Sequence, residues 1–247
     1  MSKATVIFAS SPAQIPTAPV DGKITTVYWN ICGLGQSVRY ALELAGVDYV
    51  DVRVHWGPGN PGSPEYKQMW FDRKGDIGDV MLFANLPYLM DGEVALAQSN
   101  TILRYIGRKF GLMGDPSAAH IIDLIFDQAA DFDAPSTGLS YREGLPGLKR
   151  YFETALPGQL SQWERLLGDK PYMTGEQVTV ADLKVYETLR KLKLMDEQPE
   201  VAVGVFSQFQ RLLAFIARVE ALPAMKRYLS SDQFLARPLN NEHAQFK

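Results

Sequence analysis

Residues 23–54 read KITTVYWNICGLGQSVRYALELAGVDYVDVRV. The opening stretch, Ile24 to Trp29, is rich in β-branched and aromatic residues, the composition of a strand. Gly33 and Gly35 then mark a turn. Val38, Ala41, Leu42 and Ala45 recur at helical spacing, and Gly46 stands where a helix stops. Val50, Val52 and Val54 alternate with Asp51 and Arg53, which predicts a second strand. A strand–helix–strand unit this short implies a parallel pair joined by a right-handed crossover.

Downstream, residues 56–64 are dominated by Gly and Pro and read as a loop, and residues 66–71 form a short amphipathic piece. Residues 86–90 and 93–97 flank Asp91-Gly92, a tight-hairpin signal. Ser99 is an expected N-cap for a helix whose buried stripe is Ile102, Leu103, Ile106 and Phe110, ended by Gly111. After Gly114-Asp115-Pro116 strand signals become rare. Helical stripes run through 121–132, 148–167, 180–194 and 205–222, and Pro223 opens a last short helix. Thr179 with Asp182 predicts a capping box. The chain therefore divides into an α/β domain over 23–111 and an all-helical domain over 116–247. Residues 1–22, with a short apolar run followed by Ser and Pro, are expected to form a flexible arm outside both.

Composition narrows the function. The 247 residues carry 25 Lys and Arg against 28 Asp and Glu, a formal net charge of -3. That balance argues against a nucleic-acid-binding face, which rests on clustered cations. No stretch approaches the roughly 20 apolar residues of a membrane span. The single cysteine, Cys32, precludes an intramolecular disulfide and fits a reducing, cytoplasmic setting. His55, His120 and His243 are scattered, with no metal-ligand spacing.

Five motifs, in order, resemble the cytosolic glutathione S-transferases, and the mu class in particular. They are Tyr28-Trp29-Asn30-Ile31-Cys32-Gly33-Leu34, Asn85-Leu86-Pro87-Tyr88-Leu89, residues 98–106 (QSNTILRYI), residues 178–186 and Phe234-Leu235-Ala236-Arg237-Pro238. The resemblance runs from about residue 23 to the C-terminus and implies a thioredoxin-like first domain and a helical-bundle second domain. It also implies conjugation of glutathione to soft hydrophobic electrophiles by a homodimer, with glutathione as co-substrate and no further cofactor or metal.

The resemblance assigns roles residue by residue. Tyr28 directs its hydroxyl at the glutathione sulfur and stabilises the thiolate. Gln98 and Ser99 meet the γ-glutamyl carboxylate at a helix N-terminus, where free N–H groups favour anions. Asp131 reaches the γ-glutamyl ammonium from the second copy. Asn85 and Leu86 precede a cis Pro87 that presents backbone to the cysteinyl unit. Lys67, Trp70 and Lys74 surround the glycyl carboxylate, with Lys67 standing where arginine is common. Trp29 and Leu34 line both the glutathione site and an electrophile pocket that includes Ala134, Tyr141, Asn240 and Asn241. Tyr141 donates to charge developing on the electrophile. Phe83 matches an aromatic side chain that inserts into the second copy. Cys32 stands where mu-class chains often have arginine, close enough to Tyr28 to raise a cysteine mechanism as a variant. On the same fold, a ligand carrier or structural protein and a glutathione-dependent isomerase or peroxidase are the competing activities.

Overall fold

The computed structural model describes residues 4–201 and 203–247. The chain forms two compact units. The first runs to Ile106 and takes back Arg227–Leu239; the second holds Gly107–Lys226 and Asn240–Lys247. The boundary thus falls inside a helix rather than at 111–116, and part of the expected helical domain belongs to the first unit.

In the first unit the elements are β1 (Ala4–Ala9), β2 (Ile24–Trp29), α1 (Gln36–Ala45), β3 (Tyr49–Val54), α2 (Gln68–Val80), β4 (Tyr88–Asp91), β5 (Val94–Ala97) and α3 (Ser99–Lys109). The sheet order is β1-β3-β2-β4-β5. β2 and β3 are parallel, with α1 as their crossover, and β4 and β5 are antiparallel to their neighbours. Gly46 closes α1 in the left-handed conformation that glycine adopts without strain.

The expected flexible arm is corrected. β1 pairs in parallel with β3 from Ala4↔Tyr49 to Ala9↔Val54, and Ile15 is fully buried. The β-branched run Thr5, Val6, Ile7 finds a partner only through the folded sheet, so local sequence undervalues it. Met1, Ser2 and Lys3 of that arm lie outside the described residues.

β3 also departs from its alternating pattern: all six residues are buried. Asp51 and Arg53 face away from the apolar core but are covered. Asp51 accepts from Arg39 Nε at 2.9 Å and from Arg53 Nε at 2.7 Å. Arg39 also donates to the Ile31 carbonyl and the Gln36 side chain. A buried charge needs such partners, because stripping its hydration costs several kcal/mol.

The second unit is helical: α4 (Ala119–Arg142), α5 (Gly144–Thr154), α6 (Leu156–Leu167), α7 (Val180–Asp196), α8 (Gln210–Ala221) and α9 (Pro223–Leu229), the last crossing into the first unit. α4 continues through Pro135 well past the expected 132. The stripe over 148–167 breaks at Ala155, where Pro157 sits in the first turn of α6. α7 is the central helix, buried along most of its length, including Lys184, Glu187, Arg190 and Lys191. Lys191 pairs with Asp133 on α4. Burial alone would raise the Asp133 carboxyl, but Lys191 and Lys184 hold it below its ordinary value.

The capping box predicted from Thr179 and Asp182 is present. Asp182 accepts from the Thr179 N–H and hydroxyl, at 2.8 and 2.7 Å, and from the Met173 N–H at 2.7 Å. One buried carboxylate therefore starts the central helix and fixes the preceding loop.

Candidate functional site

β2 ends at Trp29 and delivers Tyr28 into a glycine-rich loop. The Leu34 N–H donates to the Tyr28 hydroxyl oxygen at 3.2 Å. Gly33 and Gly35 make that approach possible. A Cβ at 33 would lie 2.6 Å from the hydroxyl oxygen, and one at 35 would lie 2.5 Å from the ring. Neither distance is sterically allowed, so the loop wraps a buried tyrosine ring at a closeness that only glycine permits.

The same loop is tied to the C-terminal segment of this unit. The Cys32 and Gly33 N–H groups donate to the Pro238 and Leu239 carbonyls. Cys32 has no exposed surface, and its thiol donates to the Leu235 carbonyl at 3.1 Å. A thiol used as a donor in the interior is not poised as a thiolate, which weighs against the cysteine mechanism.

The Leu86–Pro87 peptide bond is cis. The Asn85 side-chain oxygen accepts from the Leu86 N–H, and Asn85 itself is exposed while Leu86 and Pro87 are buried. Gln98 has φ 70, in the left-handed region that few non-glycine residues occupy. Ser99 follows as the first residue of α3, and the Gln98 carbonyl accepts the Ile102 N–H. A strained residue immediately before a helix N-terminus is an arrangement that positions backbone donors for an anion.

On α2, Lys74 is exposed, and Lys67 is exposed just before the helix. Trp70 is only 4% exposed and packs on Tyr88 with ring centroids 6.2 Å apart, so it can offer a ligand no more than its rim. Trp29 is half-buried, and Leu34 is exposed. One feature escaped the sequence reading: Trp56 stacks on Trp29 at 4.0 Å and on Tyr66 at 4.7 Å. Its signal was the pair of aromatic residues, Trp56 and Tyr66, on either side of the Gly/Pro loop.

In the second unit, Asp131 and Ala134 are exposed on α4. The Tyr141 hydroxyl accepts from the Asn241 N–H at 3.2 Å. Burial raises the Tyr141 phenol, opposed by that N–H and by Lys191, so it stays protonated at neutral pH. Asn240, expected at the pocket mouth, is instead buried, with its amide donating to the Phe246 carbonyl at 3.0 Å. It folds the tail rather than lining a pocket.

Two family models match the chain: the glutathione S-transferase N-terminal domain over residues 25–108 and the C-terminal domain over residues 132–232. Human glutathione S-transferase Mu 3 is 36% identical over 221 residues, covering 89% of this chain and 93% of its own. The chain belongs to the glutathione S-transferase family. A glutathione S-transferase of Tyrophagus putrescentiae is 35% identical over 207 residues, covering 83% of this chain and 89% of its own. Among solved structures, the glutathione S-transferase Blo t 8 superimposes with a TM-score of 0.77 over 90% of this chain and 99% of its own, at 21% identity. This mu-class-like transferase is thus an enzyme whose co-substrate is glutathione. The N-terminal family model begins after β1 and the turn that follows it. Among the described residues, no helix is long and apolar enough to cross a membrane, and no group of three His, Cys, Asp or Glu is placed to hold a metal.

Proposed function

We propose that this transferase conjugates glutathione to soft hydrophobic electrophiles through a thiolate stabilised by Tyr28. The observation that carries the reading is the Leu34 N–H donating to the Tyr28 oxygen. A hydroxyl whose oxygen accepts a hydrogen bond becomes a stronger donor, and a donor aimed at a developing thiolate stabilises the reactive form. Free glutathione is only a few per cent ionised at neutral pH, with a thiol pKa of about 8.5. Around that centre, Gln98 and Ser99 hold the γ-glutamyl carboxylate, with Asp131 of a second copy on its ammonium. Asn85, Leu86 and the cis Pro87 hold the cysteinyl unit, and Lys67, Trp70 and Lys74 the glycyl carboxylate. Trp29, Leu34, Ala134, Tyr141 and Asn241 are assigned to the electrophile, with Tyr141 the donor to its developing charge. No resident cofactor enters this chemistry, and the setting proposed is cytoplasmic.

The reading is tested by following conjugate formation between glutathione and a chloronitroarene. Saturable catalysis well above the uncatalysed rate is expected; binding of glutathione without turnover would favour a carrier on the same fold.

We also propose a symmetric homodimer. Phe83 and Leu82 are 85% and 82% exposed at a loop tip, with Phe83 at φ 56. Two such side chains standing in water disfavour a monomer. A cleft of about 310 Å³ on α4 and α6, with Leu124, Ile125, Trp163 and Leu166 on its walls and Gln128, Gln159, Gln162 and Arg165 among them, offers a seat for Phe83 of a second copy. An isologous contact would bury this residue twice. Light scattering at micromolar concentration should give a dimer for the unsubstituted protein and a monomer for Phe83→Asp. A monomer in both would remove the dimer and the role of Asp131.

A further inference from the structure

We propose that the segment from Ser10 to Pro16, held by β1 and lying outside the matched family domain, is a strap that positions α2 for the glycyl end of glutathione.

α2 is poorly supported by its own sequence. It carries Gly75 and Gly78, each less favourable than alanine in a helix interior. Its first residue has no side-chain cap, and only Met69, Trp70 and Ile77 are buried. Yet Lys74 and Trp70 sit on this helix, so its placement decides whether they meet a carboxylate. The strap supplies what the helix lacks. Ile15 has no exposed surface and packs in one apolar cluster with Trp70, Ile77 and Met81. The Ile15 carbonyl accepts from Arg73 Nε on α2 at 2.9 Å. The Pro16 carbonyl accepts from the Tyr88 hydroxyl at 2.6 Å, and Tyr88 is the residue against which Trp70 packs. At its start the strap is fixed by the six-residue ladder of β1 with β3. Arg73, with Ile15 beneath it, is thus a positioning residue: it acts on glutathione through the helix that carries Trp70 and Lys74. Holding α2 in advance reduces the ordering cost that glutathione must otherwise offset on binding.

This inference rests on the proposed assignment of α2 to the glycyl carboxylate, and the test separates the two. Arg73→Met and, as a second variant, Ile15→Ala are compared with the unsubstituted protein using glutathione and γ-glutamylcysteine, which lacks the glycyl end. Arg73→Met removes the hydrogen bond to the Ile15 carbonyl, worth about 1 kcal/mol, together with a largely exposed pair to Asp76 that contributes little, and predicts a roughly fivefold rise in KM for glutathione. The kcat at saturation and the KM for γ-glutamylcysteine should stay within twofold. Amide exchange over 68–80 should accelerate by a similar factor, and this readout requires no ligand. An equal loss for both peptides would make the strap a support of the whole unit and overturn the proposal, as would an unchanged KM for glutathione or unchanged exchange in α2. If the unsubstituted protein discriminates poorly between the two peptides while α2 exchange accelerates as expected, the glycyl assignment fails and the strap remains only a brace for α2.

Discussion

Replacing Tyr28 with phenylalanine is expected to lower kcat/KM for conjugation about 25-fold at pH 7, the ratio of thiolate fractions for thiols titrating about two units apart. A two-unit drop in the bound thiol's pKa corresponds to about 2.7 kcal/mol of preferential thiolate stabilisation. Without it the thiol titrates near its free value of about 8.5, so the loss should shrink as pH rises through that range. The sign follows from which form reacts: the variant needs hydroxide to make the thiolate that the wild type makes for itself. Affinity for glutathione should change little, because Gln98, Ser99 and the cis Pro87 backbone are untouched. A pH–rate profile of both proteins checks this. A variant rate that stays parallel to wild type across the whole pH range would remove Tyr28 from thiol activation. Leu34 and its glycine neighbours give the substitution a clean control, since phenylalanine keeps the ring that Gly33 and Gly35 enclose.

Asp182→Ala is expected to destabilise the helical unit by about 3–5 kcal/mol, because hydrogen bonds to a charged group are worth about 1.5–3 kcal/mol each and do not add fully. Three donors converge on that carboxylate, two from Thr179 and one from Met173. Alanine would leave them buried without an acceptor at the start of the most buried helix of the unit. Burial raises the Asp182 carboxyl above its ordinary value, with the three donors pulling it back. The sign is therefore that ionisation costs stability as pH rises above the unfolded carboxylate range near 3.9. Thermal unfolding should show the loss at neutral pH. Asp182→Asn, which retains an acceptor, should fall between wild type and alanine. An alanine variant that melts like wild type would mean that α7 is held by its apolar packing alone.

Much of this was legible because the deciding residues act locally. Gly46, Asp91-Gly92 and the pair Thr179 and Asp182 each do their work within a few positions of themselves, and each element they announce is present. Ser99 marks the start of α3 but is its first residue, the cap position falling to Gln98. Tyr28 was legible for a different reason: its neighbours Gly33, Leu34 and Gly35 stand in the same motif, and they are what contacts it. What stayed hidden depends on distant chain. The run over Ala4–Ala9 becomes a strand only because β3 offers an edge, far downstream in sequence. Asp51 and Arg53 supply the polar half of the alternation that predicts a strand, yet they are covered, with Arg39 supplied by α1 and the Gln233 carbonyl by the C-terminal segment. The helical stripe reads only to 132, and α4 continues through Pro135 to Arg142. Asn240 reads as a polar rim and is buried, because Phe246 folds back to accept from it.

The central claim is that Tyr28 turns bound glutathione into its thiolate. It is tested most directly by titrating the protein with glutathione below the free thiol's pKa and recording the ultraviolet absorbance of the bound thiolate. The wild type should develop the thiolate band on saturation, and Tyr28→Phe should bind glutathione without it. A band of equal strength in both proteins would contradict the account.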